Sequence, residues 1–444
     1  MRYPAYPCSA APDASPLPAG WQKRRLKFVA TCNDEVLAES TSPDYEISYV
    51  EISGVDLMEG VHTVEEMTFE KAPSRARRVA RSGDTIVSTV RTYLKAIASI
   101  KSAPDNLVVS TGFAVLRPLP VNNSAYLGYA LQGSQFVQAV VANSTGVSYP
   151  AIAPTTLITL PILYPNSPSE QEHIANFLDW KTGQIDALIA KRQRLVDALR
   201  EQRESLTFHI ATQGLRSAAP LRDSGIPWAP QIPSHWRSGN IRRFATMRTG
   251  HTPSRSDPSY WLDCEIPWFT LADVWQLRDG SRTYLGDTKE KISRLGLANS
   301  AAELLPKGTV VLSRTASVGY SGVMPIPMAT SQDFWNWIPD EGLLSEYLLV
   351  LFRAMGQEFK RLTMGSTHKT IYQPDAAGLR ICVPPPEEQT EIVNAVFSFW
   401  SRVDGLIAKS VDSIAKLTEY RSTLITAATT GQIDVRGVAV PAAA

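Results

Sequence analysis

Arginine, lysine and short hydroxyl or amide side chains gather in a few brief spans of this 444-residue sequence. Arg75, Arg77 and Arg78, with Arg81 beyond them, crowd one stretch, and Arg91 and Lys95 follow a β-rich run. Asn143-Ser144-Thr145-Gly146-Val147-Ser148-Tyr149 offers hydroxyls beside a glycine, with Thr145, Ser148 and Tyr149 as candidate contacts. Later come Thr252, Ser254 and Arg255, then Arg314, Ser317 and Gln332, then Ser366, Thr367, His368, Lys369 and Thr370 in one run. Cationic groups suit phosphates, and Arg, Gln, Asn, Ser and Thr suit the edges of bases. Ordinary solvated loops, turns and caps use the same residues, so both readings stand at this point. His368 has no second ligand at helical or hairpin spacing and is not expected to hold a metal.

Chemistries that require a motif do not find one. The sequence has no glycine-rich phosphate loop ending in Lys-Ser/Thr, no Asn/Asp-Pro-Pro-aromatic amino-group site and no clustered Ser/His/Asp set. Asp287-Thr288-Lys289 is the nearest approach to a metal-nuclease centre, and it lacks a partner carboxylate. The 44 basic residues almost balance 43 acidic ones, so whole-chain charge gives no support for polyanion binding. No apolar run approaches the ~20 residues that span a bilayer. Cys8, Cys32, Cys264 and Cys382 are isolated from one another, which suggests neither zinc nor a disulfide framework and fits a reducing cytoplasm.

The elements that must position these clusters are written twice. Leu17–Thr31 (LPAGWQKRRLKFVAT) answers Ile232–Thr246 (IPSHWRSGNIRRFAT), with Trp21 matched to Trp236 at an offset of 215. Glu170-Gln171 answers Glu388-Gln389, and Ile185–Lys191 (IDALIAK) answers Val403–Lys409 (VDGLIAK), both at an offset of 218, as does Arg203 with Arg421. That period is far longer than the about 20 to 50 residues of a solenoid repeat. Each copy is a domain followed by a long helix.

Both helices carry a heptad pattern. The first seam runs through Ile174, Leu178, Ile185, Leu188, Leu195, Leu199 and Leu206, and the second through Ile392, Val396, Val403, Leu406, Leu417 and Leu424. Lys181, Arg192 and Gln202 interrupt the first seam, either fixing register or turning outward. Ser167-Pro168-Ser169-Glu170 predicts a capped start, Pro384-Pro385-Pro386 bars an earlier start in the second copy, and Gly214 and Gly431 mark the stops. Short β-rich runs (Tyr45–Ile52, Thr85–Val90, Leu107–Leu116, Thr309–Ser313, Trp335–Ile338) alternate with helical stretches at Tyr126–Ala142 and Ser345–Leu362. Trp268, Trp335 and Trp337 are expected in a core. The predicted architecture is mixed α+β. An irregular leader (1–16) precedes a globular domain (17–166) and a long helix (167–215), then a second domain (216–384), a second helix (385–436) and a flexible tail (437–444). The helices are expected to pack antiparallel as a coiled coil, giving an internal pseudo-twofold.

Six further segments, in order, resemble the specificity subunits of type I restriction–modification systems. They are Leu221–Trp236 (LRDSGIPWAPQIPSHW), Thr249–Trp261 (TGHTPSRSDPSYW), Ile266–Val274 (IPWFTLADV), Gly365–Tyr372 (GSTHKTIY), Leu379–Ile392 (LRICVPPPEEQTEI) and Ile425–Val435 (ITAATTGQIDV). The first copy matches more loosely, through Tyr49–Val55, Asn143–Ile152 and Ile162–Ile174. No TPSR-like element follows Trp21, and GVSY stands where the second copy has HKTI. The resemblance implies two target-recognition domains, each docking on double-stranded DNA over one half of a bipartite asymmetric site, and helices that set the spacer. It also implies a cytoplasmic, non-catalytic chain that binds no cofactor itself. Its partners would be two modification subunits carrying S-adenosylmethionine and restriction subunits using ATP and Mg. Without the resemblance, a duplicated coiled-coil scaffold that binds other proteins fits the periodicity as well.

Overall fold

The computed structural model describes residues 17–216, 219–363 and 369–441, and within them two compact units. One comprises the residues up to Arg192 together with those from Ser413 on; the other is Gln193–Asp412. Two long helices, Pro168–Gln213 (46 residues) and Pro386–Thr429 (44 residues), start and stop where the proline and glycine signals predict. Gly214 and Gly431 follow them in left-handed conformation, φ 74° and 69°. The units cut across both helices, so each unit holds one globular domain and part of both helices, rather than a domain with its following helix alone.

In the first unit, two four-stranded sheets form the domain. One has the order Glu65–Thr68, Glu46–Val50, Leu107–Ser110, Ala76–Val79; the other has Ala30–Cys32, Phe113–Pro118, Thr85–Ser88, Ile97–Ser99. The predicted run Leu107–Leu116 is therefore two strands that turn at Ser110–Gly112 and enter different sheets. In the second unit, Ala245–Thr249, Phe334–Pro339, Val310–Ser313 and Ser321–Val323 reproduce the second of these sheets, and Glu290–Ile292, Ile266–Phe269 and Ala329–Thr330 a three-stranded version of the first. In both, one central pair is parallel: Leu107–Ser110 with Glu46–Val50, and Ala329–Thr330 with Ile266–Phe269. Trp268, Trp335 and Trp337 are buried, as predicted.

Each predicted amphipathic stretch is two helices. Ser124–Gln132 and Ser134–Ala142 break at Gly133, whose N–H bonds to the carbonyls of Tyr129 and Ala130, and Ser345–Ala354 is followed by Gly356–Leu362. These helices seat the domain on the long ones. Buried Tyr126 donates to Leu163 O (3.0 Å) and Thr429 O (3.3 Å); buried Tyr347 donates to Cys382 O (3.2 Å) and Ala211 O (3.1 Å). Gln171 accepts from Asn123 N and donates to Pro165 O, and Gln389 accepts from Leu344 N and donates to Pro384 O. The repeated Glu-Gln pair is thus a joint between helix start and domain.

Within each unit the helical segments run antiparallel. In the first, Asp186 pairs with Arg421 (2.9 Å), and Ile174, Leu178 and Ile185 share a core with Leu424, Ile425 and Ala428. In the second, Arg203 pairs with Asp404 (3.2 Å), and Trp400 Nε1 donates to Thr207 Oγ1 (2.8 Å). Asp186 and Arg421 of one unit answer Asp404 and Arg203 of the other at the repeat offset, so the same ion pair is made once in each unit. In the second unit, the guanidinium groups of Arg203 and Arg353 both lie over Trp400 and both donate to Gly280 O. Burial pushes the Arg353 pKa down to about 9, still charged at neutral pH.

The seam differs from expectation at two matched positions. Leu188 and Leu406 are half exposed, at 49% and 50%, and Leu195 is exposed as well, while Ile392, Val396, Val403 and Leu199 are buried and Leu206 and Leu417 partly so. Burial falls instead on Val196 and Ser410 in that stretch. Arg192 and Gln202 are exposed, and Lys181 is partly exposed with its ammonium over Trp180.

Candidate nucleic-acid interface

In the first unit the chain leaves strand Thr85–Ser88 through Thr89, Val90 and Arg91. Ile152 N donates to Thr89 O (2.9 Å), and Val90 bridges Ala151, which ties this exit to the loop Asn143–Ile152. Thr145 and Ala151 exchange backbone hydrogen bonds at 2.9 Å, closing a tight loop over Gly146 (φ +107°). A Cβ at Gly146 would sit 3.1 Å from Tyr149 O, so this turn requires glycine. Thr92 Oγ1 meets Ser144 Oγ at 2.8 Å, and the Arg91 guanidinium lies 4.9 Å over the Tyr149 ring. Arg91, Thr145, Ser148 and Tyr149, distant in sequence, therefore share one exposed loop cluster.

The upstream arginines are placed differently. Arg77 and Arg78 lie on strand Ala76–Val79, with Arg75 just before it. Arg75 donates to Glu51 (2.7 Å), Arg77 lies over Phe69 (4.6 Å), and Arg81 is bidentate on Glu35. Arg78 is half-buried with Nη1 lacking a partner, and desolvation lowers its pKa. Burial acts to raise the Glu51 carboxyl, but hydrogen bonds from Tyr49, Ile52 N–H and Arg75 together hold it below the usual range. Only Arg75 joins the loop cluster's end of the sheet: its carbonyl accepts from Thr111 N, while Thr89 N donates to Gly112 O in the same turn.

The second unit repeats this geometry. Strand Val310–Ser313 exits through Arg314, Thr315 and Ala316; Ile371 N donates to Arg314 O (2.9 Å), and Thr315 bridges Thr370. Asp333 organises the turn by accepting from Thr315 Oγ1 and Ser331 Oγ (both 2.8 Å), and its carbonyl accepts from Arg314 N. Thr252 Oγ1 donates to Gln332 Oε1 (2.7 Å) beside it. Arg314 lies over Trp335 (4.5 Å), with its Nε buried and unpartnered. Thr252, Arg314, Ser317, Gln332, Lys369 and Thr370 thus converge around one sheet end, with Lys369 exposed. Ser254 and Arg255 follow on the same segment as Thr252. The Arg255 guanidinium stacks 3.7 Å over Trp261 and pairs with Glu290 (2.5 Å). Ser366, Thr367 and His368 lie outside the described residues.

Two features escaped the sequence reading. The strand exits are matched by a non-glycine residue in left-handed conformation, Arg91 (φ 49°) in one unit and Ala316 (φ 54°) in the other. Nothing in the residue types marks those positions. Asp333 is legible only as an acidic residue before a strand. Among the described residues no cluster of three His, Cys, Asp or Glu could hold a metal, and no helix is long and apolar enough to cross a membrane.

Comparison with known proteins accords with this geometry. Residues 233–413 match the model of the type I restriction modification DNA specificity domain. The MjaIX specificity subunit of Methanocaldococcus jannaschii is 31% identical over 171 residues, 38% of this chain and 39% of that one, so the match spans well under half of that relative. The HindI specificity subunit of Haemophilus influenzae is 20% identical over 420 residues, 81% of this chain and 89% of that one. A chain from a structural study of complex assembly and conformational transition of the type I R-M system shares the fold at TM-score 0.74 and 23% identity, over 94% of this chain and all of that one. The HsdS subunit of Thermoanaerobacter tengcongensis does so at TM-score 0.50 and 22% identity, over 95% and 99%. Residues 233–413 thus resemble the type I restriction modification DNA specificity domain, and the chain as a whole is similar to type I restriction enzyme specificity subunits in sequence and in fold.

Proposed function

We propose that the chain is the DNA-reading subunit of a type I restriction–modification complex, each unit's loop cluster reading one half of a bipartite asymmetric site. The observation that carries this reading is the duplicated strand exit, which has the same backbone in both units but different side chains. Arg91, Ser148 and Tyr149 stand in one cluster, and Arg314, Ser317, Gln332 and Lys369 in the other. A shared scaffold with unlike contact residues suits two unlike half-sites. The subunit itself is non-catalytic. Methylation would reside in two modification subunits docked on the long helices and carrying S-adenosylmethionine, and translocation and cleavage in restriction subunits using ATP and Mg, all in the cytoplasm. The half-exposed Leu188 and Leu406, alike in both helices, supply an apolar footing for such docking.

Methylome sequencing of a host carrying this chain with its modification subunit, against a host lacking the chain, tests the reading. A new motif with two dissimilar halves and a fixed gap is expected. No new motif from a soluble complex would overturn it.

A further inference from the structure

The strand exit of the first unit carries side chains that hydrogen-bond readout does not need. Arg91 (φ 49°) and Lys95 (φ 54°) are both left-handed and bracket one tight turn, Thr92–Leu94. Buried Thr92 pins that turn from beneath, through Ser144 Oγ and Pro150 O. Tyr93 and Leu94 are each half exposed, and across the cluster Val147 is fully exposed and Tyr149 66% exposed. Four apolar or aromatic side chains thus stand at the tip of a braced loop. Arg75 and Arg81 are committed to Glu51 and Glu35, whereas Arg91 and Lys95 have no carboxylate partner among the described residues. Left-handed non-glycine residues persist only where their surroundings over-determine them, and they concentrate at functional loops.

The matched turn of the second unit is built otherwise. After Ala316 (φ 54°), Val318 packs on the main core of that unit and Tyr320 on a second core cluster, so the turn folds its apolar residues inward. The outward placement of Tyr93 and Leu94 in this turn is therefore a property of the first unit's sequence and not of the shared backbone.

We propose that the tip is a wedge that enters the base stack of the half-site bound by the first unit. Leu94 and Val147 part a base step, an unstacked base rests on the Tyr149 ring already backed by Arg91, and the Arg91 and Lys95 charges face the flanking phosphates. Apolar side chains inserted between base steps unstack and kink duplexes, and aromatic rings hold the freed base. The charge complementarity of two unpaired cations around an apolar tip selects duplex DNA as the occupant. The second half-site is read without such distortion. This inference rests on the DNA-reading function proposed above.

The test uses the full chain assembled with its modification subunit, and duplexes carrying 2-aminopurine stepped through both half-sites. Apart from the base that each modification subunit extrudes for methylation in either half-site, enhanced fluorescence is expected at one further step of the first unit's half-site and at none in the other. The double variant L94A and Y149A should abolish that signal and weaken binding about tenfold or more, the scale of a lost base–aromatic stack. Y149F should retain both, which separates loss of the wedge from misfolding. If the double variant binds and fluoresces as wild type, or if no position beyond the methylated bases responds while the wild-type complex binds its site, the wedge is overturned and the DNA-reading function stands. Failure of the wild-type complex to bind duplex DNA at all would instead remove the function on which the wedge depends.

Discussion

Single side chains hold each domain to its helices, and their removal has a calculable cost. Tyr126 and Tyr347 are buried and each hydroxyl serves two backbone carbonyls. Phenylalanine at either position keeps the packing but leaves buried acceptors short of a donor, a loss of about 1–3 kcal/mol. Urea unfolding of Y126F and Y347F is expected to report that loss in the unit concerned, and a neutral result would mean that water replaces the hydroxyl. A second residue-scale prediction concerns acid. Arg81, and then Arg117, hold the Glu35 carboxyl down at about 2 from its ordinary 4.5. A depressed carboxyl contributes stability that is present above 4.5 and is lost as pH falls from 4.5 toward 2. E35Q should therefore flatten part of the acid limb of the unfolding-versus-pH curve in that window, being less stable than wild type at pH 7 and converging with it toward pH 2. The effect will be small, because the pair is largely solvated.

The long helices show how much of an element's role its period reveals. Proline and glycine signals marked their ends, and Ile174, Leu178 and Ile185, with Ile392, Val396 and Val403, are buried as the heptad seam requires. Leu188 and Leu406 lie in phase yet are half exposed, while burial in that stretch falls on Val196 and Ser410. Periodicity states which face is apolar and not what covers it. If modification subunits cover it, L188D with L406D should abolish co-elution of the chain with its modification subunit in gel filtration. The melting temperature of the isolated chain should barely move. Intact co-elution would place the docking surface elsewhere.

For the whole molecule, net charge is uninformative where local charge is not. A chain of net charge +1 can bind a polyanion only through local clusters such as those around Arg91 and Lys369. Binding through about 6 phosphate contacts should make log affinity fall linearly with log salt, losing roughly a thousandfold between 50 and 200 mM. Filter binding or anisotropy across that range measures the slope, and a flat response would exclude a phosphate-dominated interface.

The sequence by itself determined the duplication, the helix limits, the tryptophan core and the absence of any catalytic motif, because repeats, caps and periodicity are local and survive in one dimension. It also singled out Arg314, Gln332 and Thr370, whose residue types suit base and phosphate contact. Only the tertiary structure decided that these three meet at one sheet end and that Arg75 and Arg255 are already paired with carboxylates. The same holds for the split of Leu107–Leu116 between two sheets and for the matched left-handed strand exits. Those outcomes depend on which strands pair and what lies opposite each side chain. Such non-local contacts leave no mark on residue spacing.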